Sequence, residues 1–193
     1  RYSGWKLGDG CTYSGLSAVA AKRLARPDAA IAAFIGCGVQ AQSHLQSFAA
    51  LFPLKQIRAF GRGTVNRDAL CRSAEQMGLM AVASQTAQEA VSDADLIITS
   101  VTLSPQLLPF LDARWLKPGA FVTMTDLAAP WLTESMSAFD RIIVDDLEQE
   151  ANMPKPLVDP ALVGGDLTGL VTGSMSGRCA DDERTAFVFR GLA

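Results

Sequence analysis

Short apolar runs alternate along this chain with longer stretches whose hydrophobic residues recur at helical spacing. Six of the apolar runs predict strands: Ala30–Ile35, Ile57–Phe60, Leu79–Ala83, Leu96–Ser100, Phe121–Thr125 and Arg141–Val144. The stretches before and between them favour helices, because apolar residues three or four positions apart share one helix face. They are Ser17–Arg23, Val39–Leu51, Asp68–Met77, Thr86–Ser92 and Thr133–Phe139. This alternation predicts an α/β fold with a doubly wound, mostly parallel sheet and helices on both faces.

The chain after Val144 is less regular. Prolines interrupt it, a short helix is predicted at Leu167–Thr172, and the apolar run Ala186–Phe189 predicts one more strand. Four acidic residues follow Val144: Asp145, Asp146, Glu148 and Glu150. Their spacing does not match a calcium-binding loop, so we expect a solvated face.

Composition narrows the class of protein. The 193 residues are 49% hydrophobic and 19% charged, which suits one ordinary globular domain. A net charge of −3 without a cluster of basic residues argues against nucleic acid or an anionic membrane as a partner. No apolar run approaches the roughly 20 residues that a membrane span needs.

Cysteine and histidine usage argues against a metal site. The four cysteines form no C-x-x-C pair, so they are interpreted as reduced thiols in a cytoplasmic protein. The only histidine, His44, lies inside a predicted helix and is expected to be a packing or surface residue.

A glycine-rich turn joins the first predicted strand to the next helix. Its sequence, Gly36-Cys37-Gly38-Val39-Gln40-Ala41, is G-x-G-x-x-A in the setting of a dinucleotide-binding, Rossmann-like fold. Glycine at the first position permits a tight turn, glycine at the third lets the backbone approach a pyrophosphate, and the final alanine keeps the helix close to the sheet. The helix amides and dipole would then attract the anion.

We therefore predict cofactor contacts from Gly36, Gly38, Val39, Gln40 and Ala41. Two residues at the end of the fourth strand are predicted to add to this site, Ser100 and Val101. A glycine turn that binds no ligand is the alternative.

The end of the second strand bears on which dinucleotide is bound. An acidic residue about 20 positions beyond the motif would bind the ribose diol of NAD. The chain has Phe60-Gly61-Arg62-Gly63-Thr64 there, without a carboxylate. A guanidinium can hold a 2′-phosphate, so Arg62 and Thr64 favour NADP, with NAD still possible. A solvated surface arginine is the alternative for Arg62.

Several motifs together resemble the ornithine cyclodeaminase/mu-crystallin family. The segment Ile35–Ala41 is similar to that family's I-G-x-G-V-Q-A. Further segments agree in order and spacing: Ser14-Gly15-Leu16, Ala94–Thr99, Trp115–Ala120, Val144-Asp145 with Glu148-Gln149, and Gly177-Arg178 through Gly191-Leu192-Ala193. The resemblance covers residues 11–193.

This resemblance implies hydride exchange between a nicotinamide and a carbon that bears an amine or imine. The substrate would be a small amino or imino acid, and the reaction imine reduction or cyclodeamination. Because a net reductant is usually NADPH, the NADP preference favours the reductase. A non-catalytic NADPH-binding protein of the crystallin type is the alternative.

The resemblance also implies an acid/base aspartate after the fifth strand, where this chain has Asp126. A carboxylate at the carboxyl end of that strand would face the nicotinamide crevice and could move a proton at the amino nitrogen. The alternative is that Asp126 caps the following turn. The P-G-K that follows in the family is absent.

Other positions depart from the family. Asp9 stands where an arginine near the substrate carboxylate is expected, and Phe189 stands where a serine is expected. Residues 1–10 are interpreted as a remnant of, or linker from, an N-terminal substrate and dimerisation domain, and residues 11–193 as the dinucleotide-binding domain. Either the chain is a fragment or it is a natural variant reduced to that half. A homodimer is expected if the N-terminal domain is present.

Overall fold

The computed structural model describes residues 9–191, with side chains from residue 13 onward. Within that range the strands are β1 (Ile31–Ile35), β2 (Gln56–Phe60), β3 (Met80–Ala83), β4 (Leu96–Thr99), β5 (Phe121–Met124), β6 (Arg141–Val144), β7 (Val163–Asp166) and β8 (Thr185–Val188). The α-helices are α1 (Asp9–Leu24), α2 (Val39–Leu51), α3 (Thr64–Gln76), α4 (Ala87–Val91), α5 (Leu147–Ala151) and α6 (Leu167–Thr172). Short 3-10 helices occupy Ala113–Trp115, Thr133–Ala138 and Pro160–Leu162.

The strands form a single parallel sheet in the order β3-β2-β1-β4-β5-β8-β6-β7. The chain moves outward from β1 to β3 and then crosses back to place β4 on the other side of β1. This reversal creates a crevice at the carboxyl ends of β1 and β4, where open α/β sheets bind ligands. The predicted Rossmann-like fold is confirmed, and the glycine-rich turn lies at this crevice.

Apolar side chains cover both faces of the sheet. Phe34 and Ile98 belong to the core beneath α1, α2 and α3, whereas Ile35 and Ile97 belong to the core on the α4 side. All four side chains are fully buried. Burial on both faces explains why β1 is a continuous apolar run without alternating polar residues.

The structure differs from the predicted elements mainly where propensity is weak. Strand β7 was not predicted, because Gly164 and Gly165 are poor strand formers, and its pairing with β6 is irregular there. Helix α1 begins at Asp9 rather than at Ser17, although its first turns contain glycine and threonine. The predicted helix Thr133–Phe139 is a 3-10 helix.

The acidic segment after β6 is only partly a solvated face. Glu150 is buried and its carboxylate pairs with Arg190, with an Oε2–Nε distance of 2.8 Å. Asp145 accepts hydrogen bonds from the amides of Arg190 and Gly191. Asp146 caps α5 by accepting from the Gln149 amide. The expectation of a solvated face therefore holds for the exposed Asp146 and Glu148 but is wrong for Asp145 and Glu150, whose carboxylates bind backbone and arginine donors that the chain brings back after β8.

None of the helices in this range is long and apolar enough to cross a membrane.

Candidate dinucleotide-binding site

The glycine-rich turn after β1 is held between the neighbouring strands. Gly36 has a φ of +88°, and its amide donates to the Phe60 carbonyl at 2.9 Å. A Cβ on Gly36 would lie 2.5 Å from the Ser100 carbonyl oxygen. The Ser100 hydroxyl donates in turn to the Gly36 carbonyl at 3.3 Å. Only glycine fits this position, because a side chain would meet backbone that cannot move aside.

The turn leaves the N-terminus of α2 open. Gly38 is its N-cap, no side chain of the described residues caps it, and its first turn has no acidic residue. A Cβ on Gly38 would meet no described atom within 4 Å. The first amides of this 13-residue helix therefore keep their capacity to bind an anion, which the helix dipole favours.

A cavity of about 460 Å³ opens beside this turn. Its walls come from the glycine-rich turn, the end of β2 and the loop after β4. The lining includes the glycine backbone of the turn and an apolar wall of four side chains: Phe60, Leu107, Leu108 and Phe110. Leu108 is 78% exposed although it is apolar, which suits a wall that a flat, apolar part of a ligand would cover.

Five of the ten predicted site residues line this cavity: Gly36, Gly38, Arg62, Ser100 and Val101. The others do not line it as the structure describes it. Ala41 is fully buried beneath the turn, as a residue that keeps α2 close to the sheet must be. Val39 and Thr64 are exposed at the first positions of α2 and α3, and the Gln40 side-chain oxygen is buried without a partner among the described residues.

Arg62 is an uncompensated positive charge at the cavity. Its side chain is exposed and has no ion pair or hydrogen bond within residues 9–191. Arg67, in the next helix, is instead paired with Asp68 at 2.9 Å. Arg62 is therefore free to bind a ligand anion without breaking an internal contact.

Asp126 lies at the carboxyl end of β5, as predicted, but its carboxylate turns towards β4. Oδ1 accepts from the Thr99 hydroxyl at 2.9 Å, and Oδ2 accepts from the Val101 amide at 3.1 Å. The side chain is 2% exposed. Burial raises the pKa of Asp126 to about 6, although both hydrogen bonds act to lower it.

His44 is a buried structural residue. Its Nδ1 lies 2.8 Å from the Gln40 carbonyl, which can only accept, so Nδ1 carries the proton. Nε2 then accepts from the Ser17 hydroxyl at 2.9 Å, and Ser17 lies 2.8 Å from the Thr123 hydroxyl. Burial lowers the pKa of His44 to about 4. This series of hydrogen bonds joins α2, α1 and β5.

Cys37, the second residue of the glycine-rich turn, and Phe189 are both buried and apolar in character. Burial raises the pKa of the Cys37 thiol to about 11, so it is not an activated nucleophile. Phe189, where the family has serine, is 5% exposed and packs edge-on against Tyr13 with ring centroids 4.7 Å apart. Asp9 is the first residue of α1, and its side chain lies outside the described part.

Sequence reasoning missed several residues that the fold brings to the site. Asn66 lines the cavity from the first turn of α3, and the apolar wall comes mostly from the loop after β4. Thr99 appeared to be an ordinary β-branched strand residue, yet its hydroxyl holds Asp126. No sequence signal marks these residues, since each acts only through contacts between elements distant in the chain.

The sequence profile of the ornithine cyclodeaminase/mu-crystallin family matches residues 13–193. The chain belongs to this family. It is 30% identical to the ketimine reductase mu-crystallin of Mus musculus over 182 residues, which cover 92% of this chain and 56% of that protein. It is 29% identical to an alanine dehydrogenase of Archaeoglobus fulgidus, over 91% of this chain and 56% of that protein. The chain thus spans about half the length of these relatives.

Solved structures agree with the fold. An archaeal alanine dehydrogenase dimer with bound NAD matches with a TM-score of 0.79 and 26% identity, over 95% of this chain and 59% of that one. The Δ1-pyrroline-2-carboxylate reductase of Thermococcus litoralis, in complex with NADH and L-proline, matches with a TM-score of 0.82 and 22% identity, over 95% of this chain and 60% of that one. The second likeness concerns the fold alone.

Proposed function

We propose that this chain is the dinucleotide-binding part of an NADP(H)-dependent enzyme that exchanges hydride with a small amino or imino acid. The observation that carries the proposal is the open N-terminus of α2 behind Gly36, beside a cavity that contains the free Arg62 guanidinium. Family membership and relatives named ketimine reductase and alanine dehydrogenase support the reaction class.

The residues fit a dinucleotide in two ways. The amides after Gly36 and Gly38 can hold a pyrophosphate. The apolar wall of Phe60, Leu107, Leu108 and Phe110 can cover a flat base. The nicotinamide, when bound, supplies or accepts the hydride. In this arrangement the protein binds and orients the cofactor and keeps water away from its apolar parts.

Arg62 makes NADP the proposed cofactor in preference to NAD. The turn after β2 has an unpaired guanidinium and no carboxylate, so a 2′-phosphate would gain a charged partner without repulsion. The NAD or NADH named in the solved relatives belongs to those proteins.

The variant Arg62→Ala tests this preference, with Arg72→Ala as the matched control. Arg72 is an exposed arginine of α3 that does not line the cavity. Isothermal titration calorimetry should show that Arg62→Ala weakens NADPH binding at least tenfold, as expected for a lost charged hydrogen bond of about 1.5–3 kcal/mol, and changes NADH binding little. Equal losses for both coenzymes would remove Arg62 from the 2′-phosphate site, and no heat with either would refute the proposed function.

A second candidate function is NADPH binding without turnover. Phe189 replaces the family's serine and is buried against Tyr13, so one polar contact near the predicted substrate site is missing. An assay of NADPH oxidation with a cyclic imino acid such as Δ1-pyrroline-2-carboxylate separates the two candidate functions. The assay uses the protein expressed from the complete reading frame. Binding without oxidation would favour the non-catalytic protein.

The homodimer and the cytoplasmic location remain predictions. Size-exclusion chromatography with light scattering would test the first, and cell fractionation the second.

A further inference from the structure

A buried carboxylate joins the ends of two neighbouring strands behind residues that line the cavity. Asp126 follows β5, and its two oxygens accept from Thr99, at the end of β4, and from the amide of Val101, two residues later. The donor–acceptor distances are 2.9 Å for Oδ1 and 3.1 Å for Oδ2.

The segment that Asp126 holds is itself part of the cavity wall. Ser100 and Val101 line the cavity, and Ser100 bonds to the backbone of the glycine-rich turn through both its amide, to Ile35, and its hydroxyl, to Gly36. Fixing the Val101 amide therefore fixes the Ser100 peptide against which Gly36 packs. A displacement of Ser100 and Val101 would therefore change the shape of the cavity and also move the glycine-rich turn.

The chain after Asp126 keeps the carboxylate in this position. Leu127 and Ala128 are consecutive non-glycine residues with φ values of +58° and +56°, a left-handed conformation that L-residues adopt only where their surroundings enforce it. The turn is closed by hydrogen bonds from the Ala129 amide to the Asp126 carbonyl and from the Trp131 amide to the Ala128 carbonyl, both 3.0 Å. The strained backbone of Leu127 and Ala128 indicates that the packing around them fixes the direction of the chain after Asp126.

These contacts suit a fixed acceptor better than a group that exchanges protons with a substrate. An acid/base residue needs a carboxylate oxygen within reach of the reacting atom. Asp126 is 2% exposed and does not line the cavity as the structure describes it. We infer that Asp126 is a positioning residue that acts through Thr99 and Val101 to shape the dinucleotide cavity. The inference rests on the proposed function for the identity of the ligand, but the contacts themselves do not depend on it.

The chain provides a matched control for the Thr99 contact. Thr99 and Thr123 are both buried threonines of central strands, and each hydroxyl makes one side-chain hydrogen bond, Thr99 to Asp126 and Thr123 to Ser17 on the α1 side. Replacing either with valine removes a buried hydroxyl and keeps the shape. Only Thr99→Val removes a hydrogen bond from the proposed positioning carboxylate.

The experiment compares Asp126→Asn, Thr99→Val and Thr123→Val with the parent protein. Hydrogen–deuterium exchange of peptides that contain Val101 should be faster in Asp126→Asn and Thr99→Val, and unchanged in Thr123→Val. Calorimetric titration with NADPH should show about tenfold weaker binding for the first two, the loss expected for a charged hydrogen bond, and less than a twofold change for Thr123→Val. If Asp126→Asn does not fold, Thr99→Val still gives both readouts.

The outcomes separate the possible failures. If the parent protein binds neither NADPH nor NADH, the proposed function fails, while the exchange measurement still tests the contact. If the parent binds NADPH and Asp126→Asn and Thr99→Val bind it equally well, the positioning role is refuted. Normal binding by Asp126→Asn together with lost turnover in the complete protein would instead establish the acid/base role predicted from the sequence.

Discussion

At the scale of single residues, the two motif glycines are required for different reasons. Gly36 has a positive φ, and an added Cβ would lie 2.5 Å from a backbone oxygen, so the fold itself needs glycine. Gly38 has an ordinary φ of −79° and open space beside it. Since any residue could adopt that backbone conformation, we expect glycine at position 38 to serve the approach of a ligand rather than the fold.

Alanine substitutions should therefore affect different properties. Gly36→Ala should lower the free energy of unfolding by about 3 kcal/mol, because either the Ser100 backbone or the turn must shift. Gly38→Ala should cost about 1 kcal/mol or less, yet weaken NADPH binding at least tenfold. Denaturant unfolding and calorimetric titration measure the two effects. A Gly38→Ala variant with parental affinity would show that the pyrophosphate does not approach this residue.

The residues of the candidate site differ in how far their positions and contacts could be predicted from the sequence. The positions of Gly36, Gly38 and Arg62 followed from the motif and from the distance to the end of β2. Asp126 was placed correctly at the end of β5, but its contacts with Thr99 and Val101 were not predicted, because neither strand carries a sequence mark of the other.

At the scale of elements, one aspartate fixes the start of β1. Asp95 Oδ2 accepts from the amides of Ala30 and Ile31, both at 2.8 Å, and Oδ1 pairs with Lys117 at 2.6 Å. Burial acts to raise the pKa of Asp95, but the bond to Lys117 and the two amides outweigh it and lower the pKa. The carboxylate thus joins β1, the start of β4 and the turn before β5.

Asp95→Ala should lower the free energy of unfolding by about 2–3 kcal/mol near neutral pH, since it leaves two amides without their acceptor. Asp28→Ala is the control, because Asp28 pairs with Arg26 at the surface and its loss should change stability little. A lowered pKa gives stability that is present above about pH 4 and lost as the pH falls through that pKa. The cost of Asp95→Ala, measured by denaturant unfolding, should therefore shrink in acid. A cost independent of pH would show that the carboxylate charge does not contribute.

At the scale of the whole molecule, Arg178 connects segments from the two ends of the chain. Its guanidinium donates to the carbonyls of Leu24 at 2.8 Å, Gly119 at 3.0 Å and Glu183 at 2.6 Å. Its amide donates to the Arg23 carbonyl, also at 2.8 Å. These acceptors lie at the end of α1, before β5 and before β8, so one side chain satisfies backbone groups where three elements meet.

Arg178→Ala should lower the free energy of unfolding by about 3 kcal/mol, because several carbonyls lose their donor at once. Arg178→Lys should recover part of this loss, since an ammonium lacks the planar geometry that reaches separated acceptors. The exposed Arg72→Ala is the control and should match the parent in thermal unfolding. If Arg178→Ala were as stable as Arg72→Ala, the C-terminal segment would not depend on this contact.

Local sequence properties were enough to predict the parallel α/β fold, the glycine-rich turn after β1 and the place of Arg62 after β2, because hydrophobic period, glycine spacing and residue type can each be read along the chain. Long-range packing places β8 between β5 and β6, pairs Glu150 with Arg190 and turns Asp126 towards β4. Such contacts join residues far apart in the chain, where the geometry of packing and the need of each buried polar group for a partner, rather than local propensity, select the outcome.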